Sequence, residues 1–215
     1  MTAILPDTTK NALLNSAATN GFVTSGTHLA LFTAFPPIIG TNEVTGGSPA
    51  YARKVITFTA SAAAGSISPA TGLPATFDVP AGTTVKAVGV CTALTAGSLL
   101  AWLPAGSVAR RAFSVDAGGV TADQLDAPGH GLSVNDQIIV WASIGAALPA
   151  GMAEDTIYFV KTVVDADTIE LSATQGGAIL PITGVGDGDL QKFTPEVFAG
   201  QGTYQVSSYP ISLPG

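Results

Sequence analysis

The sequence predicts an all-β protein: an antiparallel β-sandwich, jelly-roll-like, with one short N-terminal helix and a second small β domain inserted in a loop. Three observations carry this. Short apolar or β-branched runs such as Leu29–Phe32 and Ile138–Trp141 recur, each cut off by turn residues. The chain holds 25 glycines and 14 prolines in 215 residues, well above their usual combined share of roughly 12%. Eleven of the 15 acids fall between Phe113 and Gln191.

The single helix signal runs from about Asp7 to Ala18, with Pro6 and Asp7 as start residues and Leu13, Leu14 and Ala17 as an apolar stripe. Asn20-Gly21 then ends it. Strands are expected over His28–Thr33, Tyr51–Thr59, Ala75–Val79, Thr84–Thr92, Ser98–Leu103 and Thr203–Tyr209. In Tyr51–Thr59 the alternation places Ala52, Ile56 and Phe58 on one face and Arg53, Val55 and Thr57 on the other. A further strand set, Val120–Leu125, Gln137–Ala142, Thr156–Val164 and Thr168–Ala173, lies within the acidic stretch.

That stretch has eleven acids and one base, a net charge of −10, whereas the remainder has seven bases and four acids, +3. A step of this kind marks a domain boundary. The expected organisation is a host domain of 1–112 with 192–215, and an inserted domain of 113–191.

Composition also excludes function classes. The chain is 47% hydrophobic and 11% charged, with mean hydropathy +0.43; an average domain carries about 25% charged residues. Disorder goes with the opposite balance. No run approaches the roughly 20 apolar residues of a membrane span. A net charge of −7 argues against nucleic acid, which needs clustered Lys and Arg. A single cysteine, Cys91, excludes an internal disulfide and a Cys-based zinc site. Met1–Lys10 has an acid and no apolar core, so synthesis in a cytoplasm without a signal peptide is expected. A surface so poor in charge is expected to be covered by other protein.

Candidate chemistry is sparse. His28 heads an apolar strand and His130 sits in a Gly-flanked turn; either imidazole could act as a base, or simply hold its turn. Cys91 follows Val88-Gly89-Val90 in an apolar strand, where a thiol behaves as a small hydrophobe. Asp165 with Asp167, and Asp187 with Asp189, are paired carboxylates. The second pair, in Gly186-Asp187-Gly188-Asp189, shares its alternation with calcium-binding Gly-Asp repeats but stands as one copy. The plainer reading is two acidic turns on a solvated face, with no metal and no cofactor. Trp102, Trp141, Phe32, Phe58, Phe77 and Tyr51 could form a sugar-stacking platform or a core. No catalytic constellation results, and an enzyme is not expected.

Three segments carry a resemblance. They are Thr27–Thr33; Gly40–Lys54, containing Asn42-Glu43, Gly46-Gly47 and Tyr51-Ala52-Arg53; and Phe77–Val85 running into Val88-Gly89-Val90. With the closing Phe198-Ala199-Gly200-Gln201-Gly202-Thr203-Tyr204, their order resembles a family of small tailed-bacteriophage structural proteins of the minor tail or tail-fibre type. The likeness covers about 1–110 and 192–215, and the intervening acidic residues depart from the family's pattern. The resemblance implies a non-enzymatic virion protein, a minor tail or tail-tip component. It would assemble with copies of itself and other virion proteins through the charge-poor host domain and project the acidic insert. A capsid decoration protein and a receptor- or carbohydrate-binding module are the alternatives. The insert could then touch the host cell surface through Trp141, Tyr158 and Phe159. Glu43, Tyr51 and Arg53 are the structural or interface candidates; Arg53 could pair with Glu43 within the chain or reach across a subunit contact.

Overall fold

The computed structural model describes residues 28–58, 66–67, 69–143 and 145–212. The expected helix over 7–18 lies outside the described residues. The chain divides into two compact units, Met1–Leu103 with Glu196–Gly215, and Pro104–Pro195. Every pairing whose register is described is antiparallel.

The first unit is built on a sheet of four strands in the order β2 (Lys54–Val55), β1 (His28–Phe32), β8 (Ala87–Cys91) and β9 (Leu99–Pro104). The runs Leu29–Phe32 and Ala87–Cys91 are buried without alternation, because both faces of this sheet are covered. Ala30, Phe32, Ala87 and Cys91 form a cluster on one face, against which Phe35, Ile39, Leu99 and Trp102 pack. Among the described residues the unit also holds four short ladders: β3 (Thr57–Phe58) with β5 (Pro69–Thr71), β4 (Ser66–Ile67) with β18 (Ile211–Ser212), β6 (Ala75–Val79) with β17 (Gly202–Val206), and β7 (Thr83–Val85) with β16 (Glu196–Phe198). These described pairings do not lay out the two facing sheets of a jelly roll.

Two expected long strands are broken. Thr84–Thr92 divides at Lys86, whose N–H turns to the carbonyl of Phe32 at 2.8 Å. Tyr51–Thr59 divides at Ile56, and its face assignment fails at Arg53, which is buried while Val55 is 62% exposed. Arg53 is drawn inward by a carboxylate and two carbonyls, described below.

The second unit is a closed barrel of six strands in the order β10 (Arg111–Val115), β11 (Leu125–Asp126), β14 (Thr168–Ser172), β13 (Ile157–Val163), β12 (Gln137–Ala142) and β15 (Gly186–Phe193). Period-two alternation fills its interior with Phe113 and Val115, Ile138 and Val140, Tyr158 and Val160, Ile169 and Leu171, and Leu190. Closure leaves no open sheet edge. A short helix, α1 (Ala117–Ala122), occupies part of the expected strand Val120–Leu125; Asp116 stands just before it, a residue type that favours helix starts.

The second unit begins at Pro104 rather than Phe113 and ends at Pro195 rather than Gln191. The reason is local pairing of the lead-in with the exit: Thr194 N–H donates to Ala105 O (3.0 Å) and Val108 N–H to Lys192 O (3.2 Å). Arg110, Arg111 and Lys192 therefore belong to the barrel unit. It carries four bases and eleven acids, net −7, while the first unit carries four of each, net zero.

Candidate functional site

In the first unit the long connection from β1 to β2 is fixed by its own polar residues. Asn42 accepts the Ile38 N–H through Oδ1 at 2.7 Å and donates from Nδ2 to Pro36 O at 3.0 Å. Glu43 then meets Arg53 in a two-pronged pair: Nε donates to Oε1 at 2.7 Å and Nη2 to Oε2 at 2.6 Å. The remaining Arg53 nitrogen, Nη1, donates to the carbonyls of Ala93 (2.6 Å) and Ala96 (2.7 Å). One guanidinium thus ties the 33–53 loop to the 92–98 turn. Its hydrogen bond to Glu43 holds Arg53 above its ordinary pKa. Tyr51 Oη accepts the N–H of the buried Leu31 at 2.9 Å and faces Glu43 Oε1 at 3.5 Å. Burial raises its phenol well above the usual value.

The closing segment seals the same loop. The Gln201 amide accepts the Ser48 N–H (2.9 Å) and donates to Pro49 O (2.8 Å). Gly47 lies beneath at φ 91°, where a Cβ would stand 2.9 Å from Pro49 O and 3.1 Å from the Pro80 ring. Glycine is required there on both counts. Sequence reasoning missed Gln201, because no short-range pattern links it to Ser48 across 153 positions.

The other singled-out residues divide between core and surface. Phe32, Phe58 and Phe77 are fully buried, Tyr51 stacks on Phe77 at 6.0 Å, and Trp102 packs with Phe35 at 5.2 Å. Phe32, Phe58 and Phe77 are core members of the first unit, and Tyr51 and Trp102 pack half-buried against that core. Cys91 is buried, which pushes its thiol up to about 11. Burial, then the Arg53 charge, hold His28 below its ordinary value.

In the barrel unit His130, Asp165 and Asp167 come together, as a clasp between two turns. His130 Nδ1 accepts the Leu132 N–H (2.8 Å), which leaves the ring hydrogen on Nε2 to reach Asp165 O at 3.1 Å. Asp167 accepts the Gly129 N–H (2.8 Å), and its own N–H donates to the Asp165 carboxylate (2.9 Å). That last bond holds Asp165 below the usual carboxylate range. Both nitrogens of the buried His130 are engaged in holding the turn.

Asp187 and Asp189 lie in strand β15, not in the expected acidic turn. They alternate with Gly188, where a Cβ would come within 2.6 Å of both Phe113 and Trp141 O. The Gly-Asp pattern records a backbone pressed under Phe113, with the carboxylates on the opposite, outer face. Among the described residues no three His, Cys, Asp or Glu side chains gather as a metal-holding group.

Trp141, Tyr158 and Phe159 do not form one concavity. Tyr158 points into the barrel, where its Oη accepts the Ala153 N–H at 2.9 Å. Phe159 takes the outer face by alternation. Trp141 is also outside: Nε1 donates to Asp155 Oδ1 at 2.8 Å, and the Arg110 guanidinium lies 4.0 Å from its ring centroid.

The motif residues of the first unit therefore share one structural task, fixing the loop next to the central sheet. A family model described as Podophage GP4 fiber I protein gp80 matches residues 5–143. The chain belongs to this family. Membership in the gp80 fibre family makes it a structural protein of the phage tail-fibre type and a component of the virion. The match runs further than the resemblance implied. It continues past Pro104 through β10, α1, β11 and β12 and stops short of the closing 192–215 segment. No curated protein and no solved structure matches the chain.

Proposed function

We propose that this gp80-family protein is a non-enzymatic minor tail or tail-tip component. Its neutral first unit docks onto copies of itself and neighbouring virion proteins, and its acidic barrel, inserted in the host domain, projects into solvent. The observation that carries this is the charge partition, net zero in one unit and −7 in the other. Copies packed through their barrels would bring like charges together, whereas the first unit offers little repulsion. The outward barrel is kept soluble by its acids and makes no demand for nucleic acid, cofactor or metal. Among the described residues no helix is long and apolar enough to cross a membrane.

A second reading, contact with a host receptor or carbohydrate, is favoured by one feature, the outer-face pairing of Trp141 with Arg110. It concerns the same projecting barrel. Immunogold labelling of intact virions separates the possibilities. Antibodies against the barrel are expected to decorate the tail end, and antibodies against the first unit to bind only disrupted particles. Gold over the head would support capsid decoration instead, and first-unit antibodies on intact tails would overturn the docking assignment.

A further inference from the structure

At one end of the barrel two connections grip each other. Residues 127–136 join β11 to β12, and residues 164–167 join β13 to β14. Three hydrogen bonds run between them: Ala127 N–H to Asp167 O (2.6 Å), Gly129 N–H to Asp167 Oδ1 (2.8 Å) and His130 Nε2–H to Asp165 O (3.1 Å). A fourth lies within the first connection, from Leu132 N–H to His130 Nδ1 (2.8 Å). His130 is 5% exposed. Leu132, whose amide it holds, is 7% exposed and belongs to the apolar interior of the barrel. The imidazole therefore keeps a core leucine in place.

We propose that His130 is an acid-sensitive latch: protonation of its ring releases the Leu132 amide and opens the 128–132 turn. The cause is a conflict between two donors. The Leu132 N–H needs a lone pair on Nδ1, and an imidazolium has none, because both of its nitrogens carry hydrogen. Two N–H groups cannot face one another at 2.8 Å, so one must turn away. The Nε2–H bond to Asp165 O survives in both states, and the conflict falls on Leu132 alone. A buried N–H without an acceptor is costly, which favours movement of the turn toward water. Gly129 and Gly131, at φ 58° and 60°, flank the ring and give the backbone room to rearrange.

The surrounding charges decide which side gives way. Asp165 and Asp167 stand on the 164–167 turn that packs against the ring. The Asp165 carboxylate, held below the usual range chiefly by the Asp167 N–H, attracts a charged imidazole. Asp126, at the end of β11, lies opposite Thr168 in the adjoining ladder. Arg111 of β10 is the opposing charge, its Nη1 4.0 Å from where a Cβ on Gly129 would stand. Once charged, the ring is held to the 164–167 turn by the carboxylates and pushed from the Arg111 side. The bond that yields is the one to Leu132.

The test uses the purified full chain and amide hydrogen exchange from about pH 8 to about pH 5, the range in which imidazoles change charge. Exchange is read as protection factors, which remove the intrinsic pH dependence. The Leu132 amide is expected to lose protection at least about tenfold, with a midpoint that coincides with the His130 ring titration followed by NMR. Amides of β12 and β15 are expected to keep theirs. In His130→Asn the side-chain oxygen accepts the same N–H two residues on, as in an Asx turn, but takes up no proton. Leu132 is expected to stay protected throughout in that variant, and in His130→Ala to be unprotected at every pH. Ring titration without loss at Leu132 overturns the proposal, as does a ring that does not titrate before the barrel unfolds. An equal acid loss in His130→Asn would assign it to Asp165 and Asp167, and an equal loss across β12 and β15 would show whole-barrel unfolding; either overturns the latch. Should a variant fail to fold, the wild-type comparison of ring titration with Leu132 protection decides alone.

Discussion

Arg53 and Glu43 form a buried two-pronged ion pair at 2.7 and 2.6 Å, and Arg53 satisfies two further carbonyls from a turn some forty residues away. The side chains are 3% and 9% exposed. Breaking one partner of such a pair leaves an uncompensated charge in a dry site, at a cost of about 3–5 kcal/mol. Glu43→Gln is expected to lower unfolding stability by about that amount in urea titration. Arg53→Lys is expected not to restore the wild type, since one ammonium cannot span a carboxylate and two carbonyls in a fixed fork. Equal stability of Arg53→Lys and wild type would show that the four-bond geometry is unimportant.

The His130 clasp makes a spectroscopic statement. With Nδ1 accepting the Leu132 N–H, the neutral ring carries its hydrogen on Nε2. Long-range 15N–1H correlation spectra are expected to show the Nε2–H tautomer of the neutral ring. His130→Ala orphans a buried N–H and is expected to cost about 1–3 kcal/mol, read as a lower melting temperature of the barrel unit.

Alkali should destabilise the first unit. Burial raises Cys91 to about 11 and moves Tyr51, Tyr204 and Tyr209 upward as well. These groups are neutral in the folded state. Their contribution is fully present below the unfolded pKa values, near 9 for the thiol and 10 for the phenols, and is lost as pH rises through the folded values. Denaturation midpoints measured from pH 8 to 11 are expected to fall steadily above about pH 9. A thiol reagent at pH 8 is expected to leave Cys91 unmodified until the chain is unfolded.

Gly188→Ala is expected to destabilise the barrel by about 1–3 kcal/mol, as overpacking does, because its methyl would meet Phe113 and Trp141 O at 2.6 Å. Asp187→Asn with Asp189→Asn is expected to be tolerated, and added calcium or chelator to leave the melting temperature unchanged. A calcium-dependent rise would show that the two carboxylates hold an ion.

Much of the strand pattern was legible, and the failures have specific causes. Ala75–Val79 and Gln137–Ala142 coincide with β6 and β12 because clean runs bounded by turn residues leave one register. Arg53 defeats the alternation rule, since a charged residue on a strand reads as solvent-facing even where a partner such as Glu43 is legible, and only the fold shows that the pair is buried. Gly186-Asp187-Gly188-Asp189 read as a turn because composition cannot tell a glycine needed for positive φ from one needed for close approach. Tyr158 and Phe159 looked alike as contacts, yet adjacent strand residues face opposite ways and only the barrel decides which is inside. The charge step was visible in the sequence, but its values of −10 and +3 became −7 and zero once backbone pairing placed Arg110, Arg111 and Lys192 in the barrel unit.

The assignment of a docking unit and a projecting unit is tested most directly by amine labelling of intact virions, followed by mass spectrometry. Lys54 and Lys86 report on the first unit and Lys161 on the barrel; all three are half-buried in the single chain. The expected result is that Lys161 labels equally in virion and free protein, while Lys54 and Lys86 are protected at least several-fold in the virion. Protection of Lys161 with full labelling of Lys54 and Lys86 would contradict it and assign docking to the acidic barrel.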